Sequence, residues 1–93
     1  MRSIEVEVRS ESGLHARPAA AFAQAAAAYA STIRLENLTA QGPVADAKSI
    51  VGLLSAGVER GHRVRSTAEG ADEDRAVEGL RRLLAGLGEA VGP

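Results

Sequence analysis

The sequence has no cysteine and no tryptophan, and its aromatic residues are one phenylalanine, Phe22, and one tyrosine, Tyr29. Without cysteine there is neither a disulfide framework nor a thiolate metal site. With so few aromatics, the core has to be built from aliphatic side chains and alanine. An excess of one charge is also lacking. Eleven Lys+Arg stand against twelve Asp+Glu, and a formal net charge of -1 gives no overall pull towards nucleic acid or an anionic membrane surface. The longest apolar stretch, Pro18 to Ala30, is mostly alanine and is interrupted by Gln24. It is too short and too weakly apolar to span a bilayer. Met1-Arg2-Ser3-Ile4-Glu5 lacks the apolar region of a secretory signal. The expectation is a soluble cytoplasmic protein, with the 93 residues forming one domain around a single modest core.

What is present reads as alternating strands and helices. In Ser3 to Arg9, Ile4, Val6 and Val8 alternate with Glu5, Glu7 and Arg9, the pattern of a strand with one wet face. Ser10-Glu11-Ser12-Gly13 is a turn. Pro18 suits the first turn of a helix, since its missing N–H would be unpaired there. Phe22, Ala26 and Tyr29 then recur on one face, which predicts that they pack inward.

Ser31 to Leu38 is a second alternating strand. Asn37 to Pro43, which contains Gly42-Pro43, is a hairpin turn leading into a short strand around Val44 to Ala47. Ser49 to Ala56 is a short helix with Ser49 as N-cap and Gly57 at its stop. It carries more apolar residues than one buried face needs. His62 to Glu69 is a further strand, with His62 a solvated residue at its start and Ser66 where an aliphatic residue is expected. Asp72 caps a final helix whose stripe is Ala76, Val77, Leu80, Leu83, Leu84 and Leu87, and Gly86, Gly88, Gly92 and Pro93 end the chain loosely. Strands with one apolar face and helices to cover them predict an α+β domain with an antiparallel sheet.

The chemically unusual stretch is Gly13-Leu14-His15-Ala16-Arg17-Pro18-Ala19-Ala20. The unpaired N–H groups of a helix start, together with its dipole, stabilise an anion. A neutral imidazole just upstream can attack phosphorus, and a nearby guanidinium can hold phosphate oxygens. These residues alone leave two readings open: a phosphoryl-accepting site, or a solvated loop histidine beside a surface arginine.

The stretch Gly13 to Ala19 resembles the active-site motif of HPr, the histidine-containing phosphocarrier of the bacterial phosphoenolpyruvate:sugar phosphotransferase system. Ala47-Lys48-Ser49-Ile50-Val51-Gly52-Leu53-Leu54-Ser55-Ala56-Gly57 is similar to the family's regulatory-serine segment. Ala68-Glu69-Gly70-Ala71-Asp72-Glu73 is similar to its entry into the last helix. The order, spacing and total length fit across essentially the whole chain.

The resemblance implies an open-faced β-sandwich, a four-stranded antiparallel sheet with three helices on one face. It implies that His15 takes a phosphoryl group on Nδ1 from the phosphohistidine of enzyme I and passes it to sugar-specific IIA domains. Arg17, with the backbone amides of Ala16 and Arg17, would hold the phosphate. Ser49 would be the target of an HPr kinase/phosphorylase, and Pro18, Ala20, Gln24, Ile50, Val51 and Leu54 would form the partner surface, with Leu53 turned to the core. No cofactor or metal is expected, no nucleic acid is bound directly, and the expected state is a monomer.

The sequence departs from the family at Ser12, where asparagine is common and whose change loosens the loop. It departs again in the segment 37–43, about three residues longer than usual. One alternative is a specialised paralogue serving a nitrogen-regulatory or dihydroxyacetone-kinase branch. A serine-only regulatory module is disfavoured by His15. A small acid–base enzyme is disfavoured because no paired carboxylate is expected near the motif and no long pocket-forming loop is present.

Overall fold

A computed structural model describes residues 1–10 and 13–89, without the side chains of Ala16 and residues 86–89. The elements in chain order are β1 (Arg2–Glu7), α1 (Ala16–Ala27), β2 (Thr32–Asn37), β3 (Ala45–Asp46), α2 (Ile50–Ser55), β4 (Arg63–Glu69) and α3 (Glu73–Glu89). The strands form one four-stranded antiparallel sheet in the order β1-β4-β2-β3. The last strand in the chain, β4, thus lies inside the sheet, between β1 and β2.

Alternation sets the two faces of the sheet. Val64, Ser66 and Ala68 of β4 and Ile33, Leu35 and Asn37 of β2 are buried, and their neighbours Arg63, Glu69, Thr32 and Arg34 are exposed. Ile4 and Val6 of β1 are half-buried against the same core. Glu5, Arg65 and Glu36 stand side by side across three strands on the open face, with Arg65 between the two carboxylates. The helices cover the other face: α3 lies over β1 and β4, α1 packs beside α3, and α2 beside α1. This is the open-faced α+β sandwich expected.

Phe22 is the largest fully buried side chain, and Ala26 is buried with it. Tyr29 is half-buried over Gly79 of α3. Ala76, Val77, Leu80 and Leu84 are buried along α3 and Leu83 partly so. The Leu87 side chain lies outside the described ones. Ser66 fits a position that calls for an aliphatic residue because its hydroxyl donates to the Arg34 carbonyl at 3.3 Å, so no polar atom is left unpaired.

Within the expected 37–43 hairpin, which joins β2 to β3, the left-handed residue is Gln41, with φ of 56°. Several local expectations are corrected. Helix α3 runs through Gly86 and Gly88 to Glu89. Gly92 and Pro93 lie outside the described residues. Asp72 precedes α3, but its carboxylate reaches back to accept from the Ser31 hydroxyl and from the backbone N–H groups of Ala30 and Ser31. These bonds, the Ser31 hydroxyl foremost, hold its carboxyl below the usual carboxylate range. Asp72 is therefore a clasp between the α1–β2 junction and α3. At the helix start itself, the Glu73 carboxylate accepts from the Gly70 N–H.

Candidate functional site

The segment before His15 is held from beneath by the turn that joins α2 to β4. Gly13 has φ of +62°, a left-handed conformation that glycine adopts without penalty. Its N–H donates to the Ser10 carbonyl at 3.0 Å, and the Ser10 hydroxyl donates to the Gly13 carbonyl at 2.9 Å. The Leu14 N–H donates to the Val58 carbonyl at 2.9 Å, and the Leu14 side chain is fully buried. A side chain at position 13 would overlap the Val58 carbonyl oxygen. Upstream, the Val8 N–H donates to the His62 carbonyl and the Gly61 N–H to the Val8 carbonyl. Ser12, which the sequence suggested would loosen this segment, lies outside the described residues.

Helix α1 begins at Ala16, two residues before the predicted Pro18 start, and His15 is its N-cap. The His15 backbone is extended, at φ of -120° and ψ of 161°, and its side chain makes no capping bond. In the first turn, the N–H groups of Ala16 and Arg17 have no partner in the helix. Pro18, third in the helix, still costs nothing, because its N–H would be one of the same orphans. The positive end of a 12-residue helix therefore begins at the residue after His15. The ring keeps 34% of its surface exposed. Arg17 is exposed in the same turn.

Sequence reasoning missed one partner. His15 Nε2 lies 3.0 Å from Glu59 Oε2, across 44 residues of chain. The expectation that no carboxylate stands beside the motif is overturned, since the α2–β4 turn carries one to the ring. His62, expected to be merely solvated, is half-buried and holds that turn. Its Nδ1 accepts from the Glu59 N–H at 3.1 Å and from Asn37 Nδ2 at 3.1 Å. Asn37 is fully buried at the end of β2. Its Nδ2 also donates to the carbonyls of Ala56 and Gly57, and its Oδ1 accepts from the N–H groups of Thr39 and Ala40. A buried asparagine with its donors and acceptor paired thus fixes the two ends of the turn that bears Glu59.

The Ser49 helix is built as expected. Ser49 is the N-cap of α2, and its hydroxyl oxygen accepts from the Gly52 N–H at 3.0 Å. Gly57, at φ of +64°, stands just past the Ala56 C-cap. Leu53 is fully buried. Ile50, Val51 and Leu54 are 46%, 73% and 41% exposed. A groove of about 320 Å³ runs between α1 and α2, lined by Ala20, Ala23, Gln24, Ala27, Lys48 and Ile50. Lys48 Nζ donates to the Tyr29 carbonyl at 2.8 Å, which ties the start of α2 to the end of α1. Ala20, Gln24 and Ile50 are therefore brought together, Val51 and Leu54 extend the exposed face of α2, and Pro18 is half-buried at the start of α1.

Among the described residues, no helix is long and apolar enough to cross a membrane. A family model described as "PTS HPr component phosphorylation site" matches residues 2–86. The chain is 44% identical over 85 residues to a multiphosphoryl transfer protein of Haemophilus influenzae, covering 90% of this chain and 17% of that protein. The chain thus spans about a sixth of the length of that relative. Among solved structures it is similar to HPr-C-His from Thermoanaerobacter tengcongensis, with a TM-score of 0.88 and 38% identity over 96% of this chain and 97% of that one. It is also similar to the phosphocarrier protein HPr of Bacillus anthracis, with a TM-score of 0.82 and 35% identity over 89% of this chain and 95% of that one.

Proposed function

Since the chain belongs to the PTS HPr family, we propose that it is a phosphoryl carrier of the phosphoenolpyruvate-dependent sugar phosphotransferase system. His15 is the acceptor. The lone pair of Nδ1 attacks the phosphorus carried by the phosphohistidine of enzyme I. The P–N bond on enzyme I breaks as the new one forms, and its electron pair returns to the enzyme I ring. A IIA domain then takes the phosphoryl group by the reverse of this step. Little else is required of the carrier, because such transfer depends mainly on position and charge.

The observation that carries this reading is the place of His15 as the N-cap of α1 with no capping bond from its own side chain. A phosphoryl group on the ring would meet the orphan N–H groups of Ala16 and Arg17 and the positive end of the helix, and the Arg17 guanidinium could add charge-assisted hydrogen bonds. The exposed residues Ile50, Val51 and Leu54, with the groove beside Ala20 and Gln24, support a docking face next to this site. Phosphorylation of Ser49 would set a dianion at the edge of that face and oppose acidic partners.

A reconstituted relay tests the proposal. With phosphoenolpyruvate, enzyme I and a IIA domain, the phosphoryl group should reach IIA only when this chain is present, and His15→Ala should stop it. Transfer to IIA that proceeds equally well through His15→Ala would exclude the carrier role.

A further inference from the structure

We infer that Glu59 is a positioning residue for the phosphoryl-accepting histidine, holding the proton on Nε2 so that Nδ1 presents the lone pair. This rests on the carrier reading of His15 and names the residue that selects its reactive nitrogen.

The carboxylate of Glu59 can only accept, so the 3.0 Å contact with Nε2 requires that nitrogen to donate. In a neutral ring the proton is then on Nε2, and Nδ1 is the free base. Nδ1 makes no capping bond to the helix, so its lone pair is not already engaged there. The selection also simplifies the chemistry. When Nδ1 attacks phosphorus, the ring becomes a phospho-imidazolium that still carries Nε2–H, and the carboxylate faces that positive charge. When the phosphoryl group leaves, the P–N electron pair returns to Nδ1 and the same Nε2–H ring is regenerated. No proton has to be moved in either direction.

The contact is built into the fold. The Glu59 N–H is bonded to His62 Nδ1, His62 is bonded to Asn37, and Asn37 is buried and bonded to the carbonyls of Ala56 and Gly57. The His15 side is fixed to the same turn by the bond from Leu14 N–H to the Val58 carbonyl. Both partners therefore hang on one short stretch of backbone.

The test compares the neutral-ring tautomers of His15 by ¹⁵N NMR in wild type, Glu59→Gln and Glu59→Ala, with the protein alone. The rate of phosphoryl uptake from enzyme I is then measured for the same three. The Nε2–H to Nδ1–H ratio should fall about fivefold in Glu59→Ala, the size of one solvent-exposed hydrogen bond, and uptake should slow only in proportion to the fall in the Nε2–H fraction. Glu59→Gln keeps the shape but can also donate, so it should lose part of the bias. An unchanged tautomer ratio in Glu59→Ala overturns the inference, even if uptake slows. Wild-type protein that takes up no phosphoryl group at all would instead count against the carrier reading, since the tautomer measurement needs no enzyme I.

Discussion

Gly13 and Val58 are in direct backbone contact, and that contact joins the segment before His15 to the turn that carries Glu59. The Gly13 Cα faces the Val58 carbonyl with no room for a Cβ, while the next N–H, on Leu14, donates to that same carbonyl. Gly13→Ala should therefore be penalised twice, for its left-handed φ and for displacing backbone. A loss of about 3 kcal/mol is expected, to be read from the urea midpoint. An alanine variant of wild-type stability would mean that this contact is not close in solution.

Asn37 should matter as much, although it is far from the motif in sequence. Its side chain is fully buried and pairs with backbone groups of two connections, residues 39–40 and 56–57. Asn37→Ala leaves those groups without their partner and should destabilise the fold by about 3 kcal/mol. Because Asn37 also supports His62, the variant should weaken the His15–Glu59 contact, seen as a shift of the His15 ring resonances. Unmoved resonances in the folded variant would break the proposed chain of support.

Most of the scaffold was legible in the sequence. The alternation of Ile4, Val6 and Val8 and the spacing of Phe22, Ala26 and Tyr29 reflect short-range geometry, and both place the core as found. The Ser49 cap and the Gly57 stop are likewise local. The His15–Glu59 pair was not legible, because it depends on how the α2–β4 turn meets Val8, Gly13 and Leu14, a relation set by strand order across 44 residues. His62 looked solvated for the same reason: its partner is the buried end of a strand 25 residues earlier. Gln41 shows a different limit, since a nearby glycine and proline offered a stronger turn signal than the residue that takes the left-handed conformation.

Asp72 gives a pH dependence of known sign. Its carboxyl is lowered by the Ser31 hydroxyl and the neighbouring backbone donors. A carboxyl lowered in the folded state stabilises the protein above its unfolded value, near pH ~4, and the contribution is lost as pH falls through the folded value. Glu78, lowered by its hydrogen bond to Arg81, works in the same direction. Wild type should thus be more stable than Asp72→Asn at pH 6, with the gap narrowing below about pH 4. Denaturant titrations of both proteins across that range check this; a gap that widens on acidification contradicts it.

The exposed face of α2 should be separable from stability. Val51 is the most exposed of its three apolar residues. Val51→Asp should leave the unfolding midpoint within about 0.5 kcal/mol of wild type. The KM for phosphoryl uptake from enzyme I should rise about tenfold, or ~1.4 kcal/mol of lost docking. An unchanged KM would place the docking face elsewhere.

The central claim is that His15 accepts the phosphoryl group, and the most direct measurement is the mass of the intact chain after incubation with phosphoenolpyruvate and enzyme I. Wild type should gain a single phosphoryl group that is lost in acid and kept in base, and His15→Ala should gain none. A wild-type chain that stays unmodified, or a His15→Ala chain that gains the same acid-labile group, would contradict it.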